Sequence, residues 1–218
     1  MKKRVAIAFL LLVLFTTITS EQKISLINFN LKKIEIENNF LLEEKEIKKL
    51  LIPIYNKNLI LLNHKDIQKA IMENNFIESF TVQKKYPNTL RIKIFEKKPI
   101  AILINKKKKN YLSEKIDLID FKNLDGYEDL PYVFGNKDEF EILHNNLKKI
   151  SFPSNIIKDY TYYESQRWDL KTKNKKIIKL PSKNYTQSLQ NYLDIKDKES
   201  FKKFNIFDYR IEDQLILK

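Results

Sequence analysis

The residue types that do chemistry are few in this 218-residue chain, and their spacing joins almost none of them. The two histidines, His64 and His144, have no second ligand at the spacing a zinc site uses. Each lies beside a predicted helix, where a surface or capping role accounts for it. The absence of cysteine removes disulfides, thiolate metal sites and cysteine nucleophiles. No serine sits in a G-x-S-x-G elbow, and two glycines in the whole chain cannot build a phosphate-cradling loop. The carboxylate pairs Asp117/Asp120 and Glu43/Glu44 are close enough to share acid–base work. Their sequence positions, however, are those of solvated turns and helix starts. No catalytic residue, metal, cofactor or small-molecule substrate is expected, so binding is the function class that remains.

Two further constellations could make contacts. The run Lys106–Lys109, in a chain of net charge +13, could hold phosphate or anionic lipid. Its plainer reading is a hairpin tip kept in water that blunts a sheet edge. Tyr160, Tyr162, Tyr163 and Trp168, with lysines nearby, have the makings of a stacking surface for single-stranded nucleic acid. Alternating aromatics on a strand are more often core, and a nucleic-acid partner is not expected. Part of the positive charge goes with a general richness in Lys, Ile and Asn, the composition of AT-rich coding sequence.

The elements that would position any site follow from hydrophobic period. Hydrophobic residues make up 43% of the chain, enough for a packed core. Lys32–Glu37 alternates, with Ile34 and Ile36 on one strand face. Glu43, Glu44 and Glu46 precede Lys48 and Lys49, the polarity a helix dipole prefers, and Pro53 ends that helix. Asn63 caps a second helix, with Asp66 completing a capping box and Ile67, Ala70 and Ile71 forming the buried face. Two strands then flank a Pro87-Asn88 turn, one carrying Phe80 and Val82, the other Leu90, Ile92 and Ile94. Past Pro99 the pattern changes. Strands are predicted over 100–104, 116–119, 130–135, 156–165, 167–172 and 176–181. Phe140, Leu143, Leu147 and Ile150 mark one helix, and Leu189, Tyr192 and Leu193 another. The chain closes on Phe207–Leu217, read as one strand interrupted at Asp213-Gln214. With glycine so scarce, turns must rely on Asn, Asp and Pro.

The N-terminus is a basic Met1–Arg4 followed by the uncharged run Val5–Ile18. That is a secretory signal or a retained signal anchor. As a helix the run spans roughly 21 Å, short of the about 30 Å hydrocarbon core. The segment Thr17–Ser20, however, is a poor cleavage site, so neither alternative is decided by the residues alone. Both place everything after Ser20 outside the cytoplasm.

Six motifs in order carry a family resemblance. They are Asn58–Leu62 with Asn74–Ile77, the turn Tyr86-Pro-Asn-Thr-Leu90, the exit Glu96-Lys-Lys-Pro-Ile-Ala101, the segment Leu130-Pro-Tyr-Val-Phe-Gly135, Arg167-Trp-Asp-Leu170 followed by Ile178-Lys-Leu-Pro181, and the closing Phe207-Asp-Tyr-Arg210. Together they resemble the FtsQ/DivIB cell-division family over nearly all of residues 24–218. The departures are Asn38-Asn39 for a Gly-Asn turn, Asn75 for proline, and Ile116 where the family usually has glycine.

The resemblance implies an α+β chain: a cytoplasmic tail (1–4), a membrane signal anchor (5–20), a POTRA domain of order β-α-α-β-β (24–98), and a mainly antiparallel β-domain with flanking helices (99–218). It implies a non-enzymatic, single-pass inner-membrane scaffold with a cytoplasmic N-terminus and periplasmic domains, joining early and late division proteins at the septum. The alternative is a soluble periplasmic POTRA-type assembly module with a cleaved signal. An unpaired terminal edge strand recruits another strand. The resemblance names an FtsB-type protein, acting with an FtsL-type one, as the partner that pairs there. The expected contact residues are Tyr209, Arg210, Ile211, Glu212, Leu215 and Leu217. Arg210 either meets a partner carboxylate or caps the β-domain internally.

Overall fold

The structure, a computed structural model, describes residues 2–16 and 28–218. Residues Lys2–Thr16 form helix α1. No described helix is long and apolar enough to cross a membrane. The expected anchor extends to residue 20, and its last four positions lie outside the described residues.

The first layer is a three-stranded sheet of order β1-β3-β2. Strand β1 (Lys33–Glu37) pairs in parallel with β3 (Thr89–Glu96), and β2 (Ile77–Lys85) pairs antiparallel with β3. Helices α2 (Glu44–Leu50) and α3 (His64–Ile71) lie between β1 and β2 in sequence, the β-α-α-β-β order expected of a POTRA domain. Ile34, Leu90, Ile92 and Ile94 from the sheet pack with Ile47, Leu51, Ile67 and Ile71. The predicted capping box is present: Asp66 N–H donates to Asn63 Oδ1 at 2.9 Å and Asn63 N–H to Asp66 Oδ2 at 3.4 Å. Motif residues hold this layer together through turns. Glu96 accepts three backbone N–H groups, those of Phe40, Leu41 and Leu42, at 2.8–2.9 Å. Asn38, in the left-handed region at φ 66°, donates its side-chain amide to Ile94 O. The hairpin turn contains a cis Tyr86–Pro87 bond.

The second layer is a nine-stranded sheet. Its strands are β4 (Pro99–Asn105), β5 (Lys108–Ser113), β6 (Leu118–Asp120), β7 (Tyr132–Phe134), β8 (Ile157–Tyr163), β9 (Arg167–Thr172), β10 (Ile177–Lys179), β11 (Ile206–Asp208) and β12 (Ile216–Leu217). Their spatial order is β12-β11-β10-β9-β8-β7-β4-β5-β6. Most neighbours are antiparallel. The pairs β4·β7, β7·β8 and β10·β11 are parallel. Parallel neighbours need crossovers. Helix α4 (Lys137–Lys149) supplies one, and α5 (Tyr185–Ile195) with the short α6 (Glu199–Lys202) supplies another. Phe140, Leu143 and Leu147 of α4 and Leu189 and Tyr192 of α5 pack on Leu103, Val133, Tyr160, Trp168, Leu170, Ile178 and Phe207 of the sheet. Gly135 ends β7 for a steric reason: a Cβ there would lie 2.8 Å from Tyr162 Cβ.

Strand β4 is apolar from Pro99 to Ile104 because both of its faces are covered. Ala101 and Leu103 join the helix-covered core, whereas Ile102, with Tyr111 and Ile119, joins the core of the first layer. The two sheets therefore share apolar contacts across the Lys98-Pro99 junction.

Four sequence expectations require correction. The strand predicted from Ile116 begins at Leu118, because Ile116 adopts φ 61° in a turn organised by the Ser113 hydroxyl, which accepts from Lys115 N–H and Asp117 N–H. The lysine turn is shorter than Lys106–Lys109. Only Lys106 and Lys107 turn, while Lys108 and Lys109 already pair with β4. The closing segment is not one strand, because the chain leaves the sheet after Asp208 and folds back as β12. Two of the four aromatics are core: Tyr160 and Trp168 are buried, and Trp168 packs on Tyr162 and Phe140, whereas Tyr163 stays exposed beneath Arg167. His144 is not on the surface either. It stacks on Phe140, and burial pushes its imidazole pKa down.

Candidate partner-binding edge

One edge of the large sheet is built by residues 206–218. Strand β11 pairs Phe207 with Leu217 and Asp208 with Ile216 on β12. The hairpin is clamped at its open end, where Ile206 N–H donates to Lys218 O at 2.9 Å and Lys218 N–H to Ile206 O at 3.1 Å. That reciprocal pair sets the phase of an antiparallel ladder. Ile216 and Lys218 direct their backbone groups inward to β11, and Leu217 directs its N–H and C=O outward. An outward-facing edge at the end of a nine-stranded sheet is a template for one more strand.

Between the two short strands the chain makes a loop over 209–215, and contacts to other elements together with a turn at Asp213 fix the break. Tyr209 is buried, its N–H donating to Lys179 O and its hydroxyl to Asn191 Oδ1 of α5, each at 2.9 Å. Asp213 then takes φ 55°, the left-handed turn that Asp tolerates. Beside this loop lies a groove of about 500 Å³, lined by Pro181, Asn184, Asn191, Tyr209, Arg210 and Leu215 among others.

Charge is concentrated on the sheet face away from the helices. The registers set Asp169 of β9, Lys179 of β10 and Asp208 of β11 in one row. Arg210 closes on Asp208 with a bidentate grip, Nε to Oδ1 at 2.8 Å and a terminal nitrogen to Oδ2 at 2.6 Å. Its backbone N–H donates to the same carboxylate at 3.1 Å. This hydrogen-bonded guanidinium holds the Asp208 pKa below the usual carboxylate value. Asp169 is shifted the other way, its pKa raised by burial, and its Oδ1 has no hydrogen-bond partner among the described residues.

The six residues expected to contact a partner thus fall into distinct roles. Tyr209 is an internal strut. Arg210 is tied to Asp208, yet its side chain stays 38% exposed. Ile211 and Glu212 stand exposed on the loop, and Leu215 and Leu217 pack partly against the core while lying at the edge. Sequence reasoning missed Asp208 and Asp169. The signal was present in strand alternation, which puts Asp169 and Asp208 on the face opposite Leu170 and Phe207. Elsewhere, His64 is exposed and stacks on Phe80, and Asp117 forms an ion pair with Lys97 at 3.2 Å.

A family profile described as "POTRA domain, FtsQ-type" matches residues 29–97. The chain is similar to "Cell division protein FtsQ" of Rickettsia bellii, 29% identical over 187 residues, covering 82% of this chain and 67% of that one. It is similar to the protein of the same name from Rickettsia felis, 28% identical over 211 residues, covering 86% and 76%. Among solved structures, the major extracytoplasmic domain of the trans isomer of the bacterial cell-division protein DivIB from Geobacillus stearothermophilus aligns with a TM-score of 0.34 and 14% identity, covering 47% of this chain and 92% of that one.

Proposed function

Because this chain belongs to the FtsQ/DivIB family, and so has a role in the bacterial division machinery, we propose that it is a non-enzymatic inner-membrane scaffold of the division septum. In this reading residues 5–20 are a retained anchor, residues 1–4 lie in the cytoplasm, and two periplasmic units, 24–98 and 99–218, carry contacts between early and late division proteins. The observation that supports it most directly is the outward backbone of Leu217 at the end of the large sheet. An FtsB-type protein, acting with an FtsL-type one, adds a strand along β12. Backbone bonds give affinity, and Ile211, Leu215 and Leu217 give side-chain selectivity. Arg210 serves both roles weighed for it: Asp208 orients the guanidinium from inside, and its outer N–H groups meet a partner carboxylate.

The test is binding of the full chain to its FtsB-type partner, measured by calorimetry beside thermal unfolding. Leu217→Pro removes the one outward donor without touching the Ile206–Lys218 pair. Arg210→Glu reverses the exposed charge. Arg210→Glu is expected to weaken binding by about tenfold or more, the scale of a lost charged hydrogen bond of ~1.5–3 kcal/mol, and Leu217→Pro by about fivefold to a hundredfold, since it leaves the partner's acceptor unpaired at about 1–3 kcal/mol. Unchanged binding by variants that still unfold cooperatively defeats the proposal.

A further inference from the structure

The first sheet layer has an apolar tip at the end where its chain begins. Leu61 is 78% exposed, Tyr86 57% and Ile60 50%. Backbone geometry puts them there. The Asn58 side chain accepts from Ile60 N–H at 2.9 Å, and Leu62 N–H returns to Asn58 O. This tight turn drives Leu59 and Leu62 into the core and turns Ile60 and Leu61 outward. The turn and the hairpin tip form one surface. Leu59 N–H donates to Phe29 O at 2.7 Å, Phe29 meets the Tyr86 ring edge-on at 6.0 Å, and Lys84 Nζ donates to Ile60 O at 3.1 Å.

The charges around this tip have one sign. Lys32, Lys57 and Lys65 are exposed and form no ion pair among the described residues. The carboxylates of the same segments are already engaged, Glu35 by Lys33, Lys85 and Arg91, and Asp66 in the capping box. Aliphatic side chains and a tyrosine ringed by unpaired lysines suit a lipid headgroup boundary. The rings and aliphatics enter the acyl edge there, and the lysines reach the phosphates. A protein partner reading the same lysines would need a carboxylate-rich face.

We infer that this tip docks on an anionic bilayer surface, with Ile60, Leu61 and Tyr86 at the headgroup boundary and Lys32, Lys57, Lys65 and Lys84 over the lipid phosphates. The inference rests on the proposed anchor. Residues 17–27 join α1 to this layer, and even fully extended they reach at most about 40 Å. An anchored chain therefore holds the tip within a short distance of the surface.

The chain has no cysteine, so single spin labels report one position each. The full chain is labelled through Leu61→Cys at the tip, Lys107→Cys on the exposed hairpin of the large sheet, or Leu12→Cys in α1. It is then reconstituted in mixed phosphatidylglycerol and phosphatidylcholine vesicles, with accessibility to oxygen and to a water-soluble nickel chelate measured. Docking predicts a label at 61 that favours oxygen, beside a label at 107 that is water-like. Adding Lys32→Glu, Lys57→Glu and Lys65→Glu is expected to lower the inserted population at 61 by roughly fivefold per residue. A bilayer-embedded label at 12 with a water-like label at 61 overturns the docking alone, and leaves the tip to a protein partner. Water-like labels at both 12 and 61 overturn the anchor reading and the docking together.

Discussion

Asp208 and Ile116 show how single positions in this chain balance opposed terms. The Arg210 guanidinium depresses the Asp208 pKa, so the folded state releases that proton more readily than the unfolded chain. The resulting stabilisation is complete above the unfolded value, about 3.9 for Asp, and is lost as pH falls through the lower folded value. Asp169 has the opposite sign, since burial raises its pKa and its penalty is relieved on acidification. The two offset each other in a wild-type acid titration, and a variant separates them. Asp208→Asn should be less stable than wild type at pH 7, with the difference shrinking below about pH 4, in urea unfolding at stepped pH. Ile116 combines a buried side chain with φ 61°, a conformation that costs an L-residue roughly 1–2 kcal/mol. Replacement by glycine or alanine loses most of the burial in both cases, so the backbone has the larger say in their order. Ile116→Gly should be more stable than Ile116→Ala by about 1 kcal/mol, the reverse of the usual order within helices and strands.

The elements of the first layer are held by polar side chains that close turns. Glu96 stands at the end of β3 and collects three N–H groups from the 40–42 loop. Hydrogen bonds to a charged acceptor contribute about 1.5–3 kcal/mol, against about 1 for a neutral cap. Glu96→Gln should therefore cost about 2 kcal/mol and Asn63→Ala about 1 kcal/mol, compared by chemical denaturation. A larger loss at Asn63 would mean that the loop contributes little to the folded layer. The start of α3 was legible because a cap is a local contract between residues three apart. The structure adds a cap of the same form at α4, where Glu139 N–H donates to Asn136 Oδ1 at 2.8 Å.

Across the whole molecule, Tyr111 of β5 joins the two sheets. Its ring lies in the core of the first layer beside Phe121, and its hydroxyl donates to Lys122 O at 2.8 Å. Tyr111→Ala should cost about 3–4 kcal/mol, with faster amide exchange in β1 and β3 as well as in β4–β6. Exchange confined to β4–β6 would show that the layers unfold independently. The shared core also bears on the proposed division near Lys98-Pro99. Pro99 marks a change of sheet, yet Ile102, Tyr111 and Ile119 carry apolar contact across it.

The sequence alone determined whatever depends on neighbours along the chain. The β-α-α-β-β order, the Asn63 cap and the helix faces of α4 and α5 all follow from period and spacing. The continuous apolar run of β4 was readable as a strand, but its two different covers were not. What depended on distant partners was decided by the tertiary structure. Phe207–Leu217 alternates well enough to read as one strand, and nothing local forbids it. It breaks because Tyr209 finds Asn191 on α5 and the backbone of Lys179 on β10, and because the returning β12 pairs with β11. Ile116 was expected in a strand for the same reason: its apolar side chain counts toward a pattern, whereas its positive φ is imposed by a turn that must bury that side chain. Arg210 shows the limit most directly, since Asp208 points to the same sheet face two residues away and only the folded edge decides that the two side chains meet there.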